Sequence, residues 1–99
     1  MSASTVFLGD ELSAAGYRLA GVDTRVPPPG EEAAFLDAAL KEARLVLVGL
    51  GCARAIAPAV LEPALALRLP LVMVVPDWDG TRLPDEPAIK VRRVLGLEA

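Results

Sequence analysis

The stretch "LVLVGL", Leu45 to Leu50, is apolar throughout and interrupted only by Gly49. A strand with one face in water alternates apolar and polar residues. A run without alternation belongs to a strand covered on both faces, as in a parallel sheet layered between helices. "LVLVGL" is therefore expected to lie centrally. Downstream, "PLVMVVP" is a second run of the same kind and is expected to be another buried strand. The segment between them, "CARAIAPAVLEPALALRL", has helical composition, but Pro58 and Pro63 each remove a backbone donor, so it predicts a kinked helix or two short ones.

The upstream sequence repeats this alternation. "STVFLG" reads as a first strand, and "DELSAAGYRLA" as the helix after it, with Asp10 as N-cap and Gly21 just beyond its C-terminus. Its helical spacing sets Leu12, Ala15 and Leu19 on one face with Gly16, which is expected to let the helix approach the sheet closely. "VDTRV" is a second strand, ended by Pro27 to Pro29, which cannot donate to a ladder. A helix is expected from about Glu31 to Ala43, with Glu31 and Glu32 placing negative charge at its positive end.

Strands alternating with helices through short connections imply a right-handed parallel sheet with helices on both faces. Four strands with the first inside predict an α/β fold of flavodoxin- or receiver-like order 2-1-3-4, followed by a C-terminal helical tail. The expected organisation is a globular domain over residues 1–76, an acidic Gly- and Pro-rich linker over 77–87 ("DWDGTRLPDEP"), and a short helix or tail over 88–99.

Composition narrows the function. Ninety-nine residues suit one domain, and 54% apolar with only 4% aromatic residues makes a core of Ala, Val and Leu. The formal charge of −3, with basic residues scattered except for Lys90, Arg92 and Arg93, argues against nucleic acid as a partner. A single cysteine, Cys52, permits no internal disulfide and fits a reducing compartment. The absence of histidine removes the commonest general base and nearly excludes a zinc site. With no signal-peptide pattern and no apolar run of about 18 residues, the chain is expected to be soluble and cytoplasmic, without membrane insertion.

Three stretches invite a chemical reading. Asp10 and Glu11 follow the first strand, where receiver domains hold magnesium. Such domains also need an aspartate ending strand three and a lysine after a later strand, whereas here those strands end in "VGLG" and "VVPD". Capping of the helix and matching of its dipole is the favoured role for the pair. "GLGCAR", Gly49 to Arg54, resembles the start of a phosphate loop, but it follows strand three, lacks a third glycine, and has no Walker lysine. A tight strand-to-helix turn is favoured. Cys52 sits where a helix N-terminus would activate a thiol, yet no histidine can pair with it, so a small buried thiol is expected. No catalytic, metal or cofactor-binding residue is expected.

The tail combines apolar Ile89, Val91, Val94, Leu95 and Leu97 with basic Lys90, Arg92 and Arg93 in a helix too short to be stable alone. Either it docks on its own sheet or it binds another protein, with the linker giving reach and the cations a complementary charge. The candidate partner-binding residues are Ile89, Lys90, Arg92, Arg93, Val94 and Leu95.

Taken in order, "GDELSAAGYRLAGV", "LPLVMVVPDWDG" and "IKVRRVLGLEA" resemble the small central-stalk subunit of the V-type and archaeal A-type ATPases over nearly the whole chain. Members of that family show a strand ending near "GD", then "GFRLAGV", later "PDKxG", and a final helix of the form "IxxxVRRALG". The family's Thr-x-x-Gly-Phe in the first helix is Ser13, Gly16 and Tyr17 here, and the lysine of its "PDK" turn is Trp78. The resemblance implies a non-catalytic rotor protein that binds the long coiled-coil stalk subunit and turns inside the catalytic headpiece, coupling ATP hydrolysis or synthesis to ion transport. It also implies a peripheral place in a membrane-bound complex on the cytoplasmic side. The alternative is a receiver-like regulatory module binding a nucleotide or another small ligand.

Overall fold

A computed structural model describes residues 4–78. Four strands and four helices alternate along them: β1 (Thr5–Leu8), α1 (Glu11–Leu19), β2 (Asp23–Arg25), α2 (Glu32–Glu42), β3 (Leu45–Gly49), α3 (Leu50–Arg54), α4 (Pro58–Leu65) and β4 (Leu71–Val75). The strands form one all-parallel sheet in the order β2-β1-β3-β4. All five residues of β3 are buried, as expected of a central strand covered on both faces.

The alternation of side chains divides the core in two. Val6, Leu8, Val46, Val48 and Val72 face one way and pack with Leu36 and Ala39 of α2, Ala53 of α3 and Ala64 of α4. Phe7, Leu45 and Leu47 face the other way, toward Ala14 and Tyr17 of α1. Register pairs hold each set together, Val6 opposite Val46 and Phe7 opposite Leu47. Helices thus lie on both faces, with α1 alone on its side among the described residues.

The ends of α1 follow local chemistry. Asp10 is extended and accepts a hydrogen bond from the Ser13 amide at 3.3 Å, satisfying one free donor of the first turn. At the other end Gly21 takes φ of +84°, Gly21 N–H donates to Arg18 O, and Val22 N–H donates to Tyr17 O. That pair of bonds is a Schellman closure, for which glycine carries no Cβ penalty.

The buried face of α1 differs from the expected one. Leu12 and Leu19 are 47% and 79% exposed, while Ser13, Ala14, Gly16 and Tyr17 are buried. The helix is rotated because a flat phenol stacks on the Phe7 ring, centroids 4.3 Å apart and planes 16° from parallel, and small residues beside it bring the helix down to the sheet. Two leucines on that face would hold the helix off the ring pair.

The proline-bearing segment forms two short helices. Pro58 drives the residue before it out of the helical region, and Ala57 is extended at φ −58° and ψ 138°. Pro58 then opens α4, where its missing N–H costs nothing. Ile56, in the break, turns inward and is 3% exposed.

β4 is less covered than its apolar run predicts. Only Val72 is buried, whereas Leu71 and Val74 are 42% and 37% exposed. The strand is at the edge of the described sheet, and among the described residues α1 packs against β2 and β1. The expected tail over 88–99 and all six candidate partner-binding residues lie outside the described residues.

Candidate functional site

In open α/β sheets ligands collect beyond the C-terminal ends of the strands, where the strand order reverses. That place here is between β1 and β3, and a cleft of about 310 Å³ opens there. Its walls come from the β1–α1 turn, the segment after β2, the start of α2, the β3–α3 turn and the residues after β4. They bring together Asp10, Glu11, Glu32, Asp77 and Cys52, and among the described residues neither Lys nor Arg lines it.

Each carboxylate has a task within the fold. Asp10 caps α1. Glu11 pairs with Arg18 at 3.3 Å on the exposed face of the same helix. Glu32 accepts the Gly30 amide at 2.9 Å, beside a turn in which Gly30 has φ of +91°. Asp77, 26 residues beyond Gly51 in sequence, accepts the Gly51 amide at 2.9 Å. Among the described residues no group of three or more His, Cys, Asp and Glu is placed to hold a metal ion.

Asp77 gives the glycines of "GLG" a purpose. A Cβ on Gly49 would come within 2.6 Å of its Oδ1, and a Cβ on Gly51 within 2.9 Å of its Oδ2. The turn is stripped of side chains where this carboxylate approaches the backbone. An internal anion thus takes the Gly51 amide, a donor of the kind that a glycine-rich loop offers to a phosphate. One residue on, the Trp78 amide donates to Ser13 Oγ of α1 at 2.8 Å, and Ser13 is fully buried. The first two residues of the expected linker are therefore tied to the domain.

Cys52 is half-buried, and burial together with the nearby negative charges of Glu32 and Asp77 pushes its thiol up to about 11. A helix N-terminus lowers a thiol's pKa, but desolvation and two acids act against it here and prevail. Among the described residues the cleft therefore offers neither an activated nucleophile nor a cationic anchor.

The sequence pattern reached Asp10 as a cap and a tight strand-to-helix junction at "GLGCAR", where Gly49 ends β3 and Leu50 opens α3. It missed Asp77 and Ser13 as fasteners. The signal for Asp77 is the pair of glycines itself, since a turn bare of side chains and lacking a phosphate-binding lysine needs some other occupant. Ser13 carries no local signal, because its acceptor role depends on a chain 65 residues away. Compared with known proteins, the chain matches no protein-family model and no curated protein.

Proposed function

We propose that this protein is a non-catalytic rotor component of a V/A-type rotary ATPase, similar to the small central-stalk subunit of those complexes. The observation that carries the reading is the ordered series of motifs, "GDELSAAGYRLAGV", "LPLVMVVPDWDG" and "IKVRRVLGLEA", along nearly the whole chain. The structure adds consistency at one point. Ser13, Gly16 and Tyr17, which stand where the family has Thr-x-x-Gly-Phe, are all buried on one face of α1. A motif at those positions is therefore a packing motif for the helix on its sheet.

In this role the α/β domain is the body of the protein, and residues 88–99 supply contacts to a long coiled-coil stalk partner. Ile89, Val94 and Leu95 provide apolar area, and Lys90, Arg92 and Arg93 a cationic rim. The protein takes part in coupling ATP turnover to ion transport as a peripheral member of a membrane-bound complex on the cytoplasmic side. No helix among the described residues is long and apolar enough to cross a membrane.

The position of the cleft at the strand-order reversal favours the second reading, a receiver-like module for a small ligand. Against it stand the four engaged carboxylates and the absence of a cation among the described residues of the cleft wall.

Co-expression with the coiled-coil stalk protein and headpiece encoded in the same genome tests the proposal. The intact chain is expected to co-purify with the coiled coil and to support coupled turnover. Deleting residues 88–99 weakens assembly or uncouples turnover. Polar replacement of Ile89, Val94 and Leu95 hurts more than charge reversal at Arg92 and Arg93, since each buried apolar side chain contributes roughly 1.5–3 kcal/mol and rim charges act mainly on association rate. An intact chain that fails to bind the coiled coil refutes the proposal. A truncated chain that assembles and couples fully refutes the role of the tail.

A further inference from the structure

We propose that the solvent side of α1 is a self-association surface, on which two copies of the chain pair through antiparallel α1 helices about a two-fold axis near Ala15. Leu12, Ala15 and Leu19 recur at the i, i+3 and i+7 spacing of a helical seam. At about 100° per residue, their centre lies about 150° around the helix from the centre of the buried Ser13, Ala14, Gly16 and Tyr17, so the stripe points away from the sheet. Leu12 and Leu19 are accordingly exposed, and Ala15 is half-buried. The helix thus has a small-residue face that meets its own sheet and a leucine face that this sheet leaves in solvent.

The charges beside the seam select a second copy as its occupant. Glu11 and Arg18 lie on one flank of the stripe and bridge along the helix at 3.3 Å. Arg18 Nε also donates to Thr24 Oγ1 at 3.1 Å, which holds the guanidinium on that flank. A two-fold axis perpendicular to two antiparallel helices keeps each flank on its own side and exchanges the helix ends. Glu11 of one copy then faces Arg18 of the other, twice over, and the charges alternate in sign. The same axis sets Leu12 beside Leu19 of the other copy. It brings the two Ala15 residues together, where small side chains let the helix axes approach to about 8 Å. A parallel pairing would put the two charge pairs on opposite flanks, with no such exchange. A seam of nine-residue helices is small, under the roughly 1,200 Å² of a stable interface, so the dimer is weak and forms at high concentration. This inference goes beyond the rotary-stalk reading and does not depend on it.

Sedimentation equilibrium of the full chain from about 10 μM to about 1 mM tests the pairing. The mass is expected to rise from one chain toward two and no further. Leu19→Gln and Arg18→Glu, both at exposed sites, are each expected to remain monomeric over that range, and circular dichroism at the dilute end to show the parent fold. Glu11→Arg is likewise expected to be monomeric alone. An equimolar mixture of Glu11→Arg with Arg18→Glu should form a heterodimer, because each seam then carries a single sign and meets its opposite. A chain that stays monomeric up to about 1 mM overturns the proposal and leaves the seam to a helix of another protein. Association that Leu19→Gln leaves intact, or that grows past two chains, overturns it by assigning the contact to another surface. A mixture that stays monomeric overturns it as well, since the antiparallel pairing requires the charge exchange.

Discussion

Tyr17 shows how one side chain links packing to pH. It lies 3% exposed against Phe7, and desolvation, reinforced by the charge of Asp77, pushes its phenol up to about 12. A raised folded-state pKa means that the folded chain holds its proton more tightly than the unfolded chain. The stability tied to Tyr17 is thus complete below pH 10 and is lost as pH rises toward 12. Cys52, raised to about 11 from 9, behaves alike over a lower window. Since Tyr17 is the only tyrosine, absorbance at about 295 nm titrates it directly. The expected outcome is a single ionisation near 12 in the folded protein and one near 10 in denaturant. Tyr17→Phe should keep the ring stack and flatten the upper part of the alkaline stability loss. A folded-state titration at 10 would contradict the burial of the phenol.

Asp77 makes a second residue-scale prediction. Asp77→Ala removes a carboxylate-to-amide hydrogen bond that is exposed to water, and should lower stability by about 1 kcal/mol. Gly49→Ala should cost more, because its Cβ would meet Asp77 Oδ1 at 2.6 Å, the Phe7 ring at 3.3 Å and Leu8 O at 3.4 Å. Part of that cost arises from Asp77 itself. The double variant should therefore be more stable than the sum of the two single losses allows, as a denaturant-unfolding cycle would measure. Strict additivity would mean that the carboxylate does not meet the glycine.

At the scale of elements, α1 is decisive. Three of its small or polar residues, Ser13, Ala14 and Gly16, are buried, and two of its leucines are not. Gly16→Leu should overpack the contact with the sheet and cost on the order of 1–3 kcal/mol, while Leu19→Gln, at a site 79% exposed, should change stability by less than about 0.5 kcal/mol. Thermal melts of the two variants check both. A larger loss from Leu19→Gln would restore the face expected from leucine spacing. That spacing misled because periodicity counts apolar residues, whereas a stacked ring pair selects for small neighbours. The segment after β3 was legible for the opposite reason, since the backbone effect of Pro58 on Ala57 is local.

For the whole molecule, the charge of the cleft is the property with a functional consequence. Among the described residues four carboxylates line it without a Lys or Arg, and Asp77 occupies the Gly51 amide. The isolated chain is expected to bind no ATP at micromolar affinity, near about −8 kcal/mol, and to take no phosphoryl group from acetyl phosphate with magnesium. Calorimetry and mass spectrometry check the two in turn. Tight ATP binding would favour the small-ligand reading over the stalk reading.

The sequence by itself determined the order and type of the described elements. Unbroken apolar runs, prolines and helix caps act through neighbours a few residues away, so "LVLVGL" as the central strand and Asp10 and Gly21 as the ends of α1 were readable from local pattern. The 2-1-3-4 strand order followed because right-handed crossovers leave few alternatives. Only the tertiary structure decided which face of α1 is buried and what the glycines of "GLG" are for. Each depends on a partner outside the local pattern: Phe7 beneath Tyr17, and Asp77 returning to Gly51 across 26 residues. Such contacts are set by where the strands place their ends in space, and no local spacing encodes that.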